Sequence, residues 1–142
     1  MKNPSKEHIF EELSTLFFEM RQAIRAQLPQ KNHADPNAWM RCETIRFIGV
    51  RKNPSMQEIA KYLRVTAPSA TSLVRKLRRL GWIERTPSLK DRRTVHIILT
   101  KKGEAEFRRY RAKSRALMKK VFAELPGQDL RELRRILGSL GK

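Results

Sequence analysis

Between Ser55 and Gly81 the sequence carries the start and stop signals of two helices separated by a very short turn. Ser55 and Glu58 match the capping box, in which the serine side chain accepts from the backbone three residues on and the glutamate reaches back. Thr66 is a good N-cap for a second helix, and Gly81 suits the position after its end because glycine adopts the left-handed conformation without strain. Two helices joined in this way form a helix-turn-helix, whose second helix enters the major groove of DNA.

The second helix, predicted over residues 67–80, has two chemically different faces. One face is apolar and is expected to lie against the core. It comprises Ala70, Leu73, Val74, Leu77 and Leu80. The opposite face has small hydroxylated residues at its amino end and long cations further along, so the backbone can approach a groove while the cations reach bases or phosphates. With its flanks, this candidate DNA-reading surface comprises Thr66, Pro68, Ser69, Thr71, Ser72, Arg75, Lys76 and Arg79. An ordinary solvent-exposed helix face could have the same distribution of polar and cationic residues, but the segment that follows favours a DNA-binding face.

That segment contains two β-type runs, at residues 82–86 and 94–99, and the second run alternates in side-chain character. They are expected to pair as a hairpin. The loop between them, Pro87–Arg93, is polar, basic and longer than a tight turn, so it should project into solvent as a wing.

Four further helices are predicted around this centre. Residues 5–28 have apolar residues spaced by three and four, with Phe10 and Phe18 off the main stripe, as in a helix at a subunit interface. Residues 29–37 read as a loop. A helix containing Trp39 and Cys42 follows and ends by Asn53-Pro54. A fifth helix is capped by Thr100 and runs to about Leu125, and a sixth follows Pro126-Gly127.

The charge of the chain is large and localised. The 142 residues carry a formal net charge of +18. Residues 1–36 hold five basic and five acidic side chains, residues 37–100 hold 14 and 4, and residues 101–142 hold 13 and 5. Clustered Lys and Arg are the footprint of a polyanion binder, because neutralising phosphates releases condensed counterions. Double-stranded DNA is therefore the leading partner, and a membrane surface is a weaker one because no helix pairs a large apolar face with a purely basic one.

Other classes of function lack their sequence signals. We find no Gly-rich phosphate loop, nucleophile elbow or Cys-His-acid set, so we do not expect an enzyme or a cofactor. His8, His33 and His96 lack metal-ligand spacing. Cys42 is the only cysteine and is expected to be a buried filler. We see no apolar run of membrane-spanning length and no cleavable leader, so a cytoplasmic protein is expected.

Together these motifs resemble the MarR (multiple antibiotic resistance regulator) family of winged-helix transcription factors. The resemblance is carried, in order, by Met56–Leu63, by Thr66–Leu80 with Gly81–Arg85 after it, by Asp91–Arg93 in the wing and by Leu99–Gly103. It covers nearly the whole chain. The expected fold is mainly α with a small β-hairpin wing: a winged helix-turn-helix with six helices, whose N- and C-terminal helices form a dimerisation region.

The resemblance implies a homodimer in one compact fold. Residues 1–36 would form a dimerisation helix and loop, residues 37–100 the DNA-binding lobe and residues 101–142 the C-terminal dimerisation helices. Base edges and phosphates would be contacted by Ser69, Thr71, Ser72 and Arg75. In the wing, which also holds Lys90 and Arg92, Arg93 would enter the minor groove while Asp91 holds it in place; an ordinary turn ion pair is the alternative. A small aromatic effector is also implied. Its candidate contacts are Phe17, Trp39, Phe47 and Phe107, although aromatic residues at helical spacing are more often core.

The sequence thus predicts a sequence-specific dimeric transcriptional regulator, a repressor on a pseudo-palindromic operator. The alternative is a non-specific or architectural nucleic-acid-binding protein without an effector, because the net charge is more than sequence reading needs. The dependence of DNA affinity on salt and on sequence distinguishes the two.

Overall fold

Six helices and one two-stranded hairpin occur in the part of the chain that the structure, a computed structural model, describes: residues 5–27, 37–91 and 93–140. In chain order they are α1 (Lys6–Gln27), α2 (Ala38–Arg51), α3 (Met56–Leu63), α4 (Ala67–Arg79), β1 (Ile83–Pro87), β2 (Val95–Leu99), α5 (Lys101–Val121) and α6 (Gly127–Leu140). This confirms the predicted fold class and element order. Leu28, His33, most of the predicted loop at 29–37, and Arg92 lie outside the described residues.

The chain divides into two compact units. One unit is Asn32–Ser114, which we call the lobe, and the other combines Met1–Lys31 with Arg115–Lys142. The boundary falls inside α5.

The core of the lobe is a cluster of aliphatic side chains drawn from three helices and both strands. Its buried members are Ile45, Ile48, Ile59, Val74, Leu77, Ile83 and Ile97, each no more than 2% exposed. Burying one such side chain contributes about 1.5–3 kcal/mol. Gly49 lets α2 approach α5 closely, because a Cβ there would lie 2.7 Å from the Phe107 ring. The apolar face of α4 is thus one wall of this core.

The hairpin is attached to the segment before α3 through its second strand. Its strands pair antiparallel, with Ile83 opposite Leu99 and Pro87 opposite Val95. The backbone N–H of Ile97 donates to the carbonyl of Pro54 at 2.9 Å, which attaches β2 to the segment before α3. The wing therefore projects from a fixed base.

The start of α5 packs on the turn that follows α4. Thr100 caps α5 as predicted, since its Oγ1 accepts from the backbone N–H of Gly103 at 3.0 Å, and it also donates to the carbonyl of Gly81 at 2.5 Å. A Cβ at Gly103 would lie 1.8 Å from the carbonyl oxygen of Trp82. Only glycine fits at this contact.

Two details of the prediction are wrong. The fifth helix ends at Val121 and not at about Leu125, because residues 122–125 form a turn before Pro126, and the residue before proline disfavours helical dihedrals. Leu80 is not a core residue. It is the C-cap of α4, and its side chain is exposed.

In the other unit, α1 and α6 contain no buried residue among those described. Among the described residues of the α1 stripe, Met20 and Ile24 are half-buried and the others are exposed in the single chain, as are Phe10 and Phe18 off that stripe. Its exposed members include Ile9, Leu13, Leu16 and Phe17. On α6, Ile136, Leu137 and Leu140 are exposed as well. Wide apolar faces of this kind normally lie against another surface.

Candidate nucleic-acid interface

The first helix of the helix-turn-helix is held at its amino end by the predicted capping box. The backbone N–H of Glu58 donates to Ser55 Oγ at 3.2 Å, and the backbone N–H of Ser55 donates to Glu58 Oε2 at 2.8 Å. Arg51 at the end of α2 reaches the same carboxylate at 3.0 Å. The backbone N–H of Ser55 and the Arg51 guanidinium together lower the pKa of Glu58. These contacts fix where α3 begins relative to α2.

The turn between the two helices is sharp. Arg64 adopts the left-handed conformation, with φ 54° and ψ 44°, and ends α3. Thr66 then caps α4, accepting from the backbone N–H of Ser69 at 3.3 Å, and Pro68 lies in the first helical turn, where its missing N–H costs nothing. The turn therefore has only three residues, Arg64, Val65 and Thr66, between the end of α3 and the start of α4.

The two predicted faces of α4 are present. Ala70, Val74 and Leu77 are buried and Leu73 is half-buried. The candidate DNA-reading residues Thr66, Pro68, Ser69, Ser72, Arg75, Lys76 and Arg79 are exposed, and Thr71 is half-buried. The helix contains no acidic residue. A cationic face with small residues at its amino end is thus open to solvent, in a form that can enter a major groove.

The wing loop is organised by Asp91. Its Oδ1 accepts from the backbone N–H of Arg93 at 2.9 Å, and its Oδ2 accepts from Thr94 Oγ1 at 3.4 Å. The carboxylate therefore shapes the backbone that carries Arg93. Lys90 and Arg93 are both exposed, so each is accessible to a phosphate or a groove.

A polar cluster centred on Glu43 joins α2, α3 and α5, and the sequence reasoning missed it. Glu43 on α2 accepts from the hydroxyl of Tyr110 on α5 at 2.7 Å and from that of Tyr62 on α3 at 2.9 Å. Arg46 Nε donates to the same carboxylate at 3.1 Å. We call these four residues the Glu43 cluster. It fastens the first helix of the helix-turn-helix and the middle of α5 to α2.

The cluster also shifts the protonation of its members. Although burial alone would raise it, the hydrogen bonds from Tyr110 and Tyr62 and the charge of Arg46 hold the pKa of Glu43 below its ordinary value. Burial and the neighbouring carboxylate raise the pKa of Tyr110 well above its ordinary value. Glu43 is therefore an ionised acceptor at neutral pH. No short sequence motif predicts this cluster, since Tyr62 and Tyr110 lie 19 and 67 residues along the chain from Glu43.

The four candidate effector contacts occupy different surroundings. The Phe47 ring stacks on Tyr62, with centroids 4.2 Å apart and planes 10° apart, and Phe107 packs against the core. Trp39 is exposed on α2, and Phe17 belongs to the other unit. These positions leave the effector site a prediction.

Other candidate chemistries can be placed as well. Cys42 is half-buried, and burial raises the pKa of its thiol, which is opposite to what a reactive thiolate needs. Among the described residues, no three His, Cys, Asp or Glu side chains are grouped so that they could hold a metal ion. Nor is any helix in those residues both long and apolar enough to cross a membrane.

Comparisons with known proteins agree with this geometry. The profile of the MarR family matches residues 39–94, which span α2, the helix-turn-helix and the wing. A helix-turn-helix transcriptional repressor of Mycobacterium tuberculosis is 31% identical over 97 residues, covering 68% of this chain and 70% of that protein. The transcriptional regulator BilQ of Clostridium symbiosum is 32% identical over 96 residues, covering 68% and 67%.

Solved structures share the fold over nearly the whole chain. A MarR family protein from Bacillus stearothermophilus superposes with a TM-score of 0.78 at 17% identity, covering 97% of this chain and 96% of that one. Streptococcus pneumoniae FabT, solved in complex with DNA, superposes with a TM-score of 0.68 at 25% identity, covering 96% and 94%. With the capped helix-turn-helix, the cationic face of α4 and the wing in place, the chain belongs to the MarR family of winged-helix transcriptional regulators.

Proposed function

We propose that this regulator is a homodimeric repressor that binds a pseudo-palindromic DNA operator by α4 and the wing. The observation that carries the proposal is the exposed face of α4, which is cationic, has no acidic residue and is held against the core by its opposite side. Binding, and not catalysis, is the proposed activity.

On each half-site the amino end of α4 enters the major groove. Pro68, Ser69 and Ser72 are small enough to let the helix backbone approach the base edges, and Arg75 and Arg79 extend from the same face. Arg93 in the wing enters the neighbouring minor groove, where a narrow A·T-rich segment concentrates negative potential. Major-groove contacts would then select bases, and the wing would select the flank.

The dimer is supported by the apolar faces of α1 and α6, which the single chain leaves exposed. A second copy related by a two-fold axis would cover the same faces on both chains. Two copies of α4 would then read half-sites one helical turn apart, about 34 Å. The operator is accordingly expected to be two-fold symmetric.

Repression is supported by the relatives, since the Mycobacterium tuberculosis protein is named a repressor. A dimer bound across a promoter would occupy DNA that the transcription machinery needs. The reporter that checks this carries the selected operator between a promoter and a fluorescent gene; deleting the regulator should raise expression.

The deciding experiment for DNA binding is selection of the full-length protein on a random duplex library at about 0.15 M salt, which screens weak non-specific attraction. Enrichment of a two-fold-symmetric site with half-sites about 10 base pairs apart is the expected result. Tight binding without enrichment would contradict it and favour the architectural function that the high net charge also suggests.

We extend the proposal to a small aromatic effector, as the family resemblance implies. The exposed indole of Trp39 gives the test, because a ligand beside it would change its fluorescence. A panel of small aromatic compounds should contain one that changes both this signal and DNA affinity, and Trp39→Phe should remove the fluorescence response. A panel without any effect on DNA affinity would argue against the effector.

A further inference from the structure

Leu89 lies in the wing loop, two residues after the end of β1 at Pro87, with its side chain fully exposed. In the same lobe the aliphatic side chains of Ile83 and Ile97, on the strands that carry this loop, are buried. A fully exposed leucine in this polar, basic loop contributes no burial to the fold of the single chain. Its side chain is therefore available to a partner.

The loop fixes the position of Leu89 through its neighbours. Ser88 Oγ accepts from the backbone N–H groups of Lys90 at 3.2 Å and Asp91 at 3.4 Å. The backbone N–H of Ser88 donates to the carbonyl of Thr94 at 2.9 Å, which closes the base of the loop. Leu89 lies between the residues that make these bonds, so its backbone position is fixed by them. Its own side chain takes no part in stabilising the loop.

The charges around Leu89 indicate what kind of surface it meets. Lys90 and Arg93 are exposed cations of the same loop. The nearby acidic group, Asp91, already accepts from the backbone of Arg93 and from Thr94. An apolar side chain close to two cations matches a surface that has an apolar strip between rows of phosphates. The minor groove of DNA is such a surface, because deoxyribose C–H groups form its walls.

We propose that Leu89 is a DNA contact that packs against the deoxyribose walls of the minor groove beside each half-site, next to Arg93 in that groove and to a phosphate bound by Lys90. The exocyclic amino group of guanine projects into that groove and A·T pairs lack it, so this contact disfavours G·C at the flank. The inference rests on the proposed DNA-binding function and deepens it.

The test compares the affinity of the full-length protein and its variants for the selected operator at several salt concentrations. Leu89→Ala and Leu89→Ser should each bind about threefold to tenfold more weakly, since burying part of a leucine side chain is worth a fraction of its full transfer free energy. Leu89→Met keeps an apolar side chain of similar size and should bind within about twofold of the wild type.

Salt dependence separates this apolar contact from an ionic one. The slope of log affinity against log salt should be unchanged in Leu89→Ala, because no counterion is involved. In Lys90→Ala the slope should fall by about 0.9, the value for one phosphate contact. A slope change in Leu89→Ala as large as that in Lys90→Ala would overturn the inference.

Two readouts locate the contact on the DNA. Hydroxyl radicals attack deoxyribose in the minor groove, so Leu89→Ala should lose protection of the flanking sugars and keep protection elsewhere. Wild-type binding should also weaken when the flank changes from A·T to G·C and recover with inosine·C, which lacks the amino group. Leu89→Ala should show less of this preference.

Folding and assembly serve as controls. Leu89→Ala should unfold at the wild-type temperature because the side chain is fully exposed, and Val50→Ala, which truncates another exposed apolar side chain, should keep wild-type DNA affinity. If the wild type selects its operator and Leu89→Ala binds it equally well, this inference fails while the proposed function stands. If Leu89→Ala instead dissociates the protein in sedimentation, the leucine contacts a second copy and the inference is overturned. Failure of the wild type to select any site would overturn both.

Discussion

The hydroxyl of Tyr110 on α5 donates a 2.7 Å hydrogen bond to Oε1 of Glu43 on α2. It joins the middle of α5 to α2, the helix that packs against α3 of the helix-turn-helix. Because Tyr62 on α3 donates to the other oxygen of the same carboxylate, one side chain connects three helices. The positions of α3 and α5 against α2 therefore depend on this carboxylate.

Removing the Tyr110 hydroxyl should destabilise the protein. Tyr110→Phe keeps the ring and removes a bond to a charged acceptor, so we expect a loss of about 1–2 kcal/mol in the free energy of unfolding. Tyr62→Phe, whose side chain is more exposed, should lose less. In a Glu43→Ala background, Tyr110→Phe should cost almost nothing, which a double-mutant cycle by urea denaturation would measure. Additive losses would show that the bond contributes little.

Acid should weaken the lobe through Glu43. Its pKa in the folded protein lies below the ordinary value of 4.5, so its contribution is present above that value and is lost as the pH falls through the lowered pKa. We therefore expect the free energy of unfolding to fall below about pH 4.5, and to fall less steeply in Glu43→Gln. Denaturation curves from pH 3 to 7 for the two proteins provide the measurement. Parallel curves would exclude this role.

Gly103 should tolerate no side chain. A Cβ there would lie 1.8 Å from the backbone carbonyl oxygen of Trp82, and the backbone cannot yield as a flexible side chain can. Gly103→Ala should lose about 3 kcal/mol or more of stability. The matched control is Gly138→Ala on α6, where nothing lies within 4 Å of the added Cβ, and a gain of about 0.5 kcal/mol is expected from helix propensity. Thermal unfolding of both variants checks the contrast.

Arg75 should determine base preference. Arg75→Ala should weaken operator binding by about 1–3 kcal/mol and relax preference at one base pair, because a bidentate contact to a base is lost. Arg131→Ala on α6 removes an equal charge and should leave that preference unchanged. Binding measured on operators substituted at each position distinguishes the cases. If Arg75→Ala weakens binding equally on every sequence, the residue contacts only phosphates.

Local signals in the sequence were sufficient for the helix-turn-helix. Caps act over three residues, so Ser55 with Glu58 and Thr66 with Ser69 could be recognised directly, and the structure has both. The hairpin likewise follows from two short β-type runs. The end of α5 could not be placed, because residues 122–125 favour a helix by composition and only Pro126 opposes it.

The Glu43 cluster shows the other limit. Glu43, Tyr62 and Tyr110 follow no common periodicity, and their meeting depends on how α2, α3 and α5 pack. A carboxylate on a helix resembles any solvated residue until its partners are located in space. The exposure of Leu80 was misjudged for a different reason. The helical periodicity of the apolar face was extended to Leu80, but the helix ends at Arg79 and Leu80 is its C-cap.

The two faces of α4 have a consequence for how such a regulator can change over evolutionary time. The residues that hold the helix in place are Ala70, Val74 and Leu77, and none of them is among the exposed residues that we propose read DNA. Under the proposed function, replacing Ser72 or Arg75 would alter which DNA is recognised while the packing of Ala70, Val74 and Leu77 stays the same. Duplicated copies of the gene can therefore diverge to new operators by exchanging a few solvent-facing side chains, with little penalty to folding.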